Sequence, residues 1–120
     1  MGKQTIDIDF SKPVELNIVS QSTHVVVYRV WKRVGDTGDW DKVQDGSTVD
    51  GEPDFLELGV LAAGTNLTYY LGIRGANKSA HRTVITVSQN AKIVKDGVVT
   101  EKGETDGDGY ATAETELVLK

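Results

Sequence analysis

The chain has 120 residues, a net charge of −5 and no cysteine. Its length is that of one domain, large enough to bury most of its apolar surface without a disulfide or a metal, and we expect a single domain over 1–120 with no linker and no internal repeat. Absent cysteines exclude a disulfide framework, a thiolate nucleophile and a zinc site of the cysteine type. The acidic balance argues against nucleic acid as a partner, because phosphate binding needs a concentrated basic surface.

The opening MGKQTIDIDF places acidic residues where a secretory signal needs an apolar stretch. Met1-Gly2-Lys3 also fits a start left by trimming, so the compartment stays open. No apolar run approaches the roughly 20 residues of a membrane span.

Along the chain the periodicity is that of strands. In Thr5–Phe10, Ile6, Ile8 and Phe10 alternate with Asp7 and Asp9, and Val14–Ile18 repeats the pattern after Pro13. The run His24–Val34 begins as continuous β-branched residues and then alternates, as a central core strand does. Further strands are expected at Trp40–Val43, Phe55–Val60, Leu67–Arg74 and Arg82–Val87, each bounded by Gly, Asp, Asn or Ser. Within Leu67–Arg74 the residues Leu67, Tyr69, Leu71 and Ile73 share one face, so Tyr69 and Tyr70 point to opposite sides.

In Ile93–Thr100, Asp96-Gly97 between apolar flanks is the sequence of a two-residue type I′ hairpin, which needs positive φ at both central residues. The last strand is expected over Tyr110–Leu119 with Ala111, Ala113, Thr115, Leu117 and Leu119 inward. Eight or nine short strands with no useful helix predict an all-β, antiparallel two-sheet sandwich, Ig-like or jelly-roll-like, with a closed barrel as the alternative.

Charge is distributed in blocks. Asp36, Asp39, Asp41, Asp45, Asp50, Glu52, Asp54 and Glu57 are opposed by Lys42 alone; Arg74, Lys78, Arg82 and Lys92 follow without a carboxylate; Glu101, Glu104, Asp106, Asp108, Glu114 and Glu116 then reverse the sign. Such blocks give solvated loops or a dipolar surface that favours head-to-tail self-association.

The segment from Tyr28 through Trp31 to Trp40-Asp41-Lys42-Val43 resembles the strand pair that carries a tyrosine and a tryptophan in fibronectin type III and related immunoglobulin-like domains. Leu58–Asn77 is similar to that family's Leu-x-Pro-Gly-Thr-x-Tyr segment, with Ala63 in place of the proline and Leu67 in place of the corner tyrosine. The resemblance covers the middle half of the chain and implies a sandwich. It says little about activity, since that fold hosts many.

Two acidic loops have spacings that suit a hard cation such as calcium, which takes six to eight oxygens. One offers Asp36, Asp39 and Asp41; the other offers Glu104, Asp106 and Asp108 before a glycine, without a glutamate at the position that closes a helix–loop–helix calcium site. The bland reading is ordinary turn chemistry. Trp31, Trp40, Tyr28, Tyr69, Tyr70 and Tyr110 are the aromatic candidates for a ligand platform. An exposed ring beside acceptors suits sugar recognition, which favours Trp40 between Asp39 and Asp41 together with an outward Tyr70, against the alternative that Trp40 begins a strand and packs on the sandwich.

Catalysis has little support: His24 and His81 lie near Ser20, Ser22 and Ser79 without a nucleophile elbow. A small hydrolase would need a deep cleft holding one of these histidines beside a carboxylate. Asn66-Leu-Thr68 and Asn77-Lys-Ser79 match the glycosylation acceptor pattern, which matters only in a secreted eukaryotic chain. The expectation is therefore a non-enzymatic module that recognises a carbohydrate or a protein surface. The alternatives are a self-associating structural protein, with a homo-oligomer as its form, and a calcium-stabilised sandwich.

Overall fold

The computed structural model describes residues 2–49 and 51–120; Met1 and Asp50, the latter part of the first acidic block, lie outside the described residues. The strands are β1 (Gly2–Ile6), β2 (Val14–Ser20), β3 (Val25–Val34), β4 (Asp41–Thr48), β5 (Asp54–Gly59), β6 (Thr65–Arg74), β7 (Ala80–Gln89), β8 (Lys92–Glu104) and β9 (Tyr110–Leu119). They form a five-stranded sheet in the order β1-β9-β6-β3-β4 and a four-stranded sheet in the order β5-β2-β7-β8. The sheets stack face to face on one shared core, so the molecule is a two-sheet sandwich and not a closed barrel.

The connectivity has an internal logic. In β2–β5, β2 pairs β5 in one sheet while β3 pairs β4 in the other; in β6–β9, β6 pairs β9 in one sheet while β7 pairs β8 in the other. The pairs β3·β6 and β2·β7 join the two halves. Each half therefore contributes one strand pair to each sheet, although no sequence repeat accompanies the arrangement.

All strand pairs are antiparallel except one. β1 runs parallel to β9 with Gly2 opposite Thr115 and Ile6 opposite Leu119. The first strand thus lies earlier than the Thr5–Phe10 alternation predicts. Its ladder closes where Lys120 N donates to Ile6 O at 2.9 Å and Ile8 N donates to Lys120 O at 2.8 Å. Ile8 and Phe10 still pack against the core, so the alternation found their inward side but not the strand's end.

Alternation fixes the interior as expected: Leu67, Tyr69, Leu71 and Ile73 are all fully buried. Two buried tyrosines stitch the sheets together, because a phenol carried into a core needs a partner for its hydroxyl. Tyr28 on β3 reaches across to donate to Asp54 on β5, and burial pushes its phenol up to about 12. Gly46, opposite Tyr28 on β4, is required there, since a Cβ would lie 2.5 Å from the Tyr28 hydroxyl oxygen. Tyr69 on β6 donates to Glu101 Oε1 on β8 at 2.9 Å, and the same oxygen accepts from Thr115 Oγ1 at 3.0 Å. Burial, with the nearby Glu101 carboxylate adding to it, raises the Tyr69 phenol as well.

The expected hairpin at Asp96-Gly97 is corrected. β7 and β8 turn at Asn90-Ala91, where both residues have positive φ (53° and 60°), between the paired Gln89 and Lys92. Asp96 does take φ 59°, but as part of a wide bulge inside β8, between Thr86↔Val98 and Ser88↔Ile93. Gly97 is packed there against backbone, and a Cβ would meet Val87 O at 2.7 Å and Val94 O at 2.8 Å. An Asp-Gly pair answers equally to a hairpin and to a bulge; pairing with β7 decides.

Candidate functional site

The outward residues of the five-stranded sheet form cross-strand rows. Val25, Arg74 and Tyr110 lie in one; Val27, Gly72 and Thr112 in the next; then Asp45, Arg29, Tyr70 and Glu114; then Trp31, Thr68 and Glu116, with Lys3 beyond on β1. Trp31, Tyr70 and Tyr110 therefore stand on one pleated surface, placed there by the period-2 alternation of β3, β6 and β9. Trp40, in the loop before β4, joins them because its ring lies under the Arg33 guanidinium, 4.3 Å from Cζ to the centroid.

Between these side chains the face is hollowed in two places. One hollow, of about 430 Å³, has Val27 and Gly72 beneath it, Trp31, Tyr70 and Tyr110 around it, and Arg29 and Arg74 lining it. The other, of about 410 Å³, is lined by Trp31, Trp40, Tyr70, Arg33, Glu114 and Glu116. Trp31 and Tyr70 belong to both, so the hollows adjoin across a shared pair of rings. Tyr70 and Tyr110 keep 36% and 43% of their surface in solvent, which leaves ring available to a ligand.

Gly72 is the informative residue. It sits in the middle of a central strand, where glycine weakens the sheet relative to a side-chain-bearing residue. Unlike Gly46 and Gly97, it is not imposed by packing. A Cβ at Gly72 would make only ordinary contacts, at 3.9 Å from both Tyr70 Cε1 and Val27 O, and its φ is not positive. What the missing side chain provides is the depth of the hollow.

The residues singled out from the sequence distribute unevenly. Trp40 and Tyr70 come together in the second hollow. Asp39 is exposed, and Asp41 lines a separate small depression with Lys32 and Val60 on the other side of the loop. Asp36, Asp39 and Asp41 do not gather with one another, nor do Glu104, Asp106 and Asp108; among the described residues no group of three or more His, Cys, Asp or Glu is placed to hold a metal ion. Asp106 Oδ1 accepts instead from the backbone amides of Asp108 and Tyr110, both at 2.9 Å, which shapes the turn into β9. Of the other aromatic candidates, Trp31 and Tyr110 join the same face, whereas Tyr28 and Tyr69 are core residues. The arginines were not expected there, although Val27, Arg29, Trp31 and Arg33 occupy the outward positions of a strand whose inward Val26, Tyr28 and Val30 are buried.

The histidines occupy the sandwich interior at the end where β8 meets β9. His24 is buried with both ring nitrogens engaged, Nδ1 to Ser22 Oγ at 2.9 Å and Nε2 to Ser79 Oγ at 2.7 Å, while Ser79 Oγ also contacts Ala76 O at 2.7 Å. This network ties the turn before β3 to the turn before β7. His81 packs edge-on against His24, centroids 6.1 Å apart, and lines a cleft of about 610 Å³ with Glu101, Glu104 and Glu114. Its Nδ1 has no partner among the described residues, and Glu101 Oε1 is held by Tyr69 and Thr115. Burial lowers the His81 pKa, with the neighbouring His24 adding to the effect.

No family model, curated protein or solved structure matches this chain. Among the described residues there is no helix long and apolar enough to cross a membrane.

Proposed function

We propose that this protein is a non-enzymatic carbohydrate-binding module and that its binding surface is the outer face of the five-stranded sheet. One observation carries the reading: adjoining hollows walled by Trp31, Trp40, Tyr70 and Tyr110 lie on one flat face around a glycine that packing does not require. A pyranose ring is amphipathic. Its C–H face stacks on an indole or phenol, and its hydroxyls need donors and acceptors at the ring's edge, which arginine and glutamate side chains provide here. The hollows are shallow and open, which suits a saccharide chain laid along the sheet.

Gly72→Val tests this directly. Valine favours strands, so the variant folds with an unchanged or raised thermal midpoint, while its side chain fills the hollow. Retardation in native gels cast with soluble polysaccharides reads the outcome: the parent is slowed and the variant runs free. Equal retardation of the two proteins would remove the hollow from the binding surface.

A further inference from the structure

The two arginines of the first hollow differ from the third arginine on this face. Arg33 is fully engaged: its Nε donates to Gly35 O at 3.3 Å, its guanidinium lies 4.0 Å from Glu116 and it stacks on Trp40. Arg29 and Arg74 make no ion pair and no side-chain hydrogen bond among the described residues. Asp45 stands directly opposite Arg29 and feels its charge, but the ion pair it forms is with Lys42, at 3.1 Å. Arg74 lies over the Tyr110 ring at 4.9 Å.

Arg29 and Arg74 flank the Val27–Gly72 row from opposite sides, roughly 14 Å apart at Cα by strand geometry. That span is within the combined reach of two arginine side chains, and both line the same hollow. The result is a pair of unpaired guanidiniums lining a largely apolar hollow, on a protein whose net charge is −5.

We infer that this hollow takes the anionic group, carboxylate or sulfate, of an acidic saccharide, held between Arg29 and Arg74 while the sugar ring stacks on Trp31 or Tyr70. The inference rests on the reading of this face as a saccharide platform. Guanidinium is planar and presents paired N–H donors that match the two oxygens of such a group, so the contact selects for the charge and its geometry. Asp45, Glu114 and Glu116 border the same rows and serve as acceptors for sugar hydroxyls.

The test is titration of the protein with polygalacturonate, with sulfated dextran and with the neutral polymers galactan and dextran, at low and at high salt. Binding to an acidic polymer and not to its neutral counterpart is expected, weakened by salt, with the preferred polymer telling carboxylate from sulfate. Since the protein carries net negative charge, non-specific attraction to a polyanion is disfavoured. Arg29→Gln and Arg74→Gln should each weaken binding about tenfold, a difference equivalent to about 1.4 kcal/mol, and Arg82→Gln on the opposite sheet should not. Both target side chains are exposed, so the variants are expected to keep the parent's thermal midpoint. Equal binding to neutral polymers, undisturbed by the Arg29 and Arg74 changes, would overturn the anionic inference while leaving the saccharide platform standing. Binding to none of the four polymers would overturn both.

Discussion

The two outer faces of the sandwich obey the same rule and carry different chemistry. Each alternates inward apolar with outward residues, yet the five-stranded sheet presents Trp31, Tyr70 and Tyr110 with Arg29 and Arg74. The four-stranded sheet presents Asn17, Val19, Val84, Thr86 and Thr100, with Phe55 and Val98 nearer its edges. Both tryptophans and every tyrosine outside the core therefore lie on one side. Pleating decides which residues face water; only their identity separates a surface that keeps a sheet dissolved from one built to hold something. An exposed Phe55 or Val98 taken singly needs no functional account.

The difference between the faces is open to a direct challenge. Truncating Trp31 and Tyr70 to alanine should weaken saccharide binding by about 30-fold or more for each change, the scale of about 2 kcal/mol typical of aromatic anchors. Phe55→Ala and Val98→Ala, at exposed apolar positions on the other sheet, should change binding less than twofold. Thermal midpoints read alongside separate lost contact from lost fold. If both pairs weaken binding alike, the surface assigned here is the wrong one.

A second contrast sets two strand glycines against each other. Gly97→Ala drives a Cβ into the Val87 and Val94 carbonyl oxygens, and overpacking of this kind costs about 1–3 kcal/mol, a fall of several degrees for a domain of this size. Gly72→Ala meets nothing closer than 3.9 Å and should leave stability unchanged or raise it by up to about 1 kcal/mol. Urea midpoints of the two variants against the parent give both signs in one experiment. A loss at Gly72 comparable to that at Gly97 would mean that the fold needs the first glycine too, and the argument from its dispensability would fail.

Much of this fold was legible in the sequence, and what was missed has physical causes. Alternation located the core because burial on one side of a strand leaves a period of two, and Tyr69 and Tyr70 were separated correctly on that ground. It did not find the parallel pairing of β1 with β9, since partner choice depends on residues more than a hundred positions apart. The candidate site was half legible. Trp31, Trp40, Tyr70 and Tyr110 were all aromatic candidates, with Trp40 and Tyr70 preferred, but Trp31, Tyr110, Arg29 and Arg74 come from three separate strands, and nothing local marks them as neighbours. The acidic loops drew attention because Asp and Gly suit both turns and cations; Asp106 shows the turn use.

The interior end of the four-stranded sheet offers the smallest and most specific effect. His81 is buried beside His24 and below Gly103, with Glu101 the nearby carboxylate, and its pKa is lowered because burial and His24 disfavour the imidazolium more than Glu101 favours it. The unfolded chain therefore takes up its proton first, near pH 6.5. Stability from this group is complete above that pH and declines as the pH falls toward the folded-state value. Asp9 and Asp45, whose carboxyls are held low chiefly by hydrogen bonds from Ser11 and Lys42, contribute in a separate window, with stability present above about pH 4 and lost below it. Between pH 7.5 and 5 the thermal midpoint should fall in the parent and stay nearly level in His81→Phe, which keeps an aromatic ring and cannot be protonated. Parallel curves for the two proteins would show that the histidine is already able to charge in the folded state, and that the cleft between β8 and β9 admits more water than its packing implies.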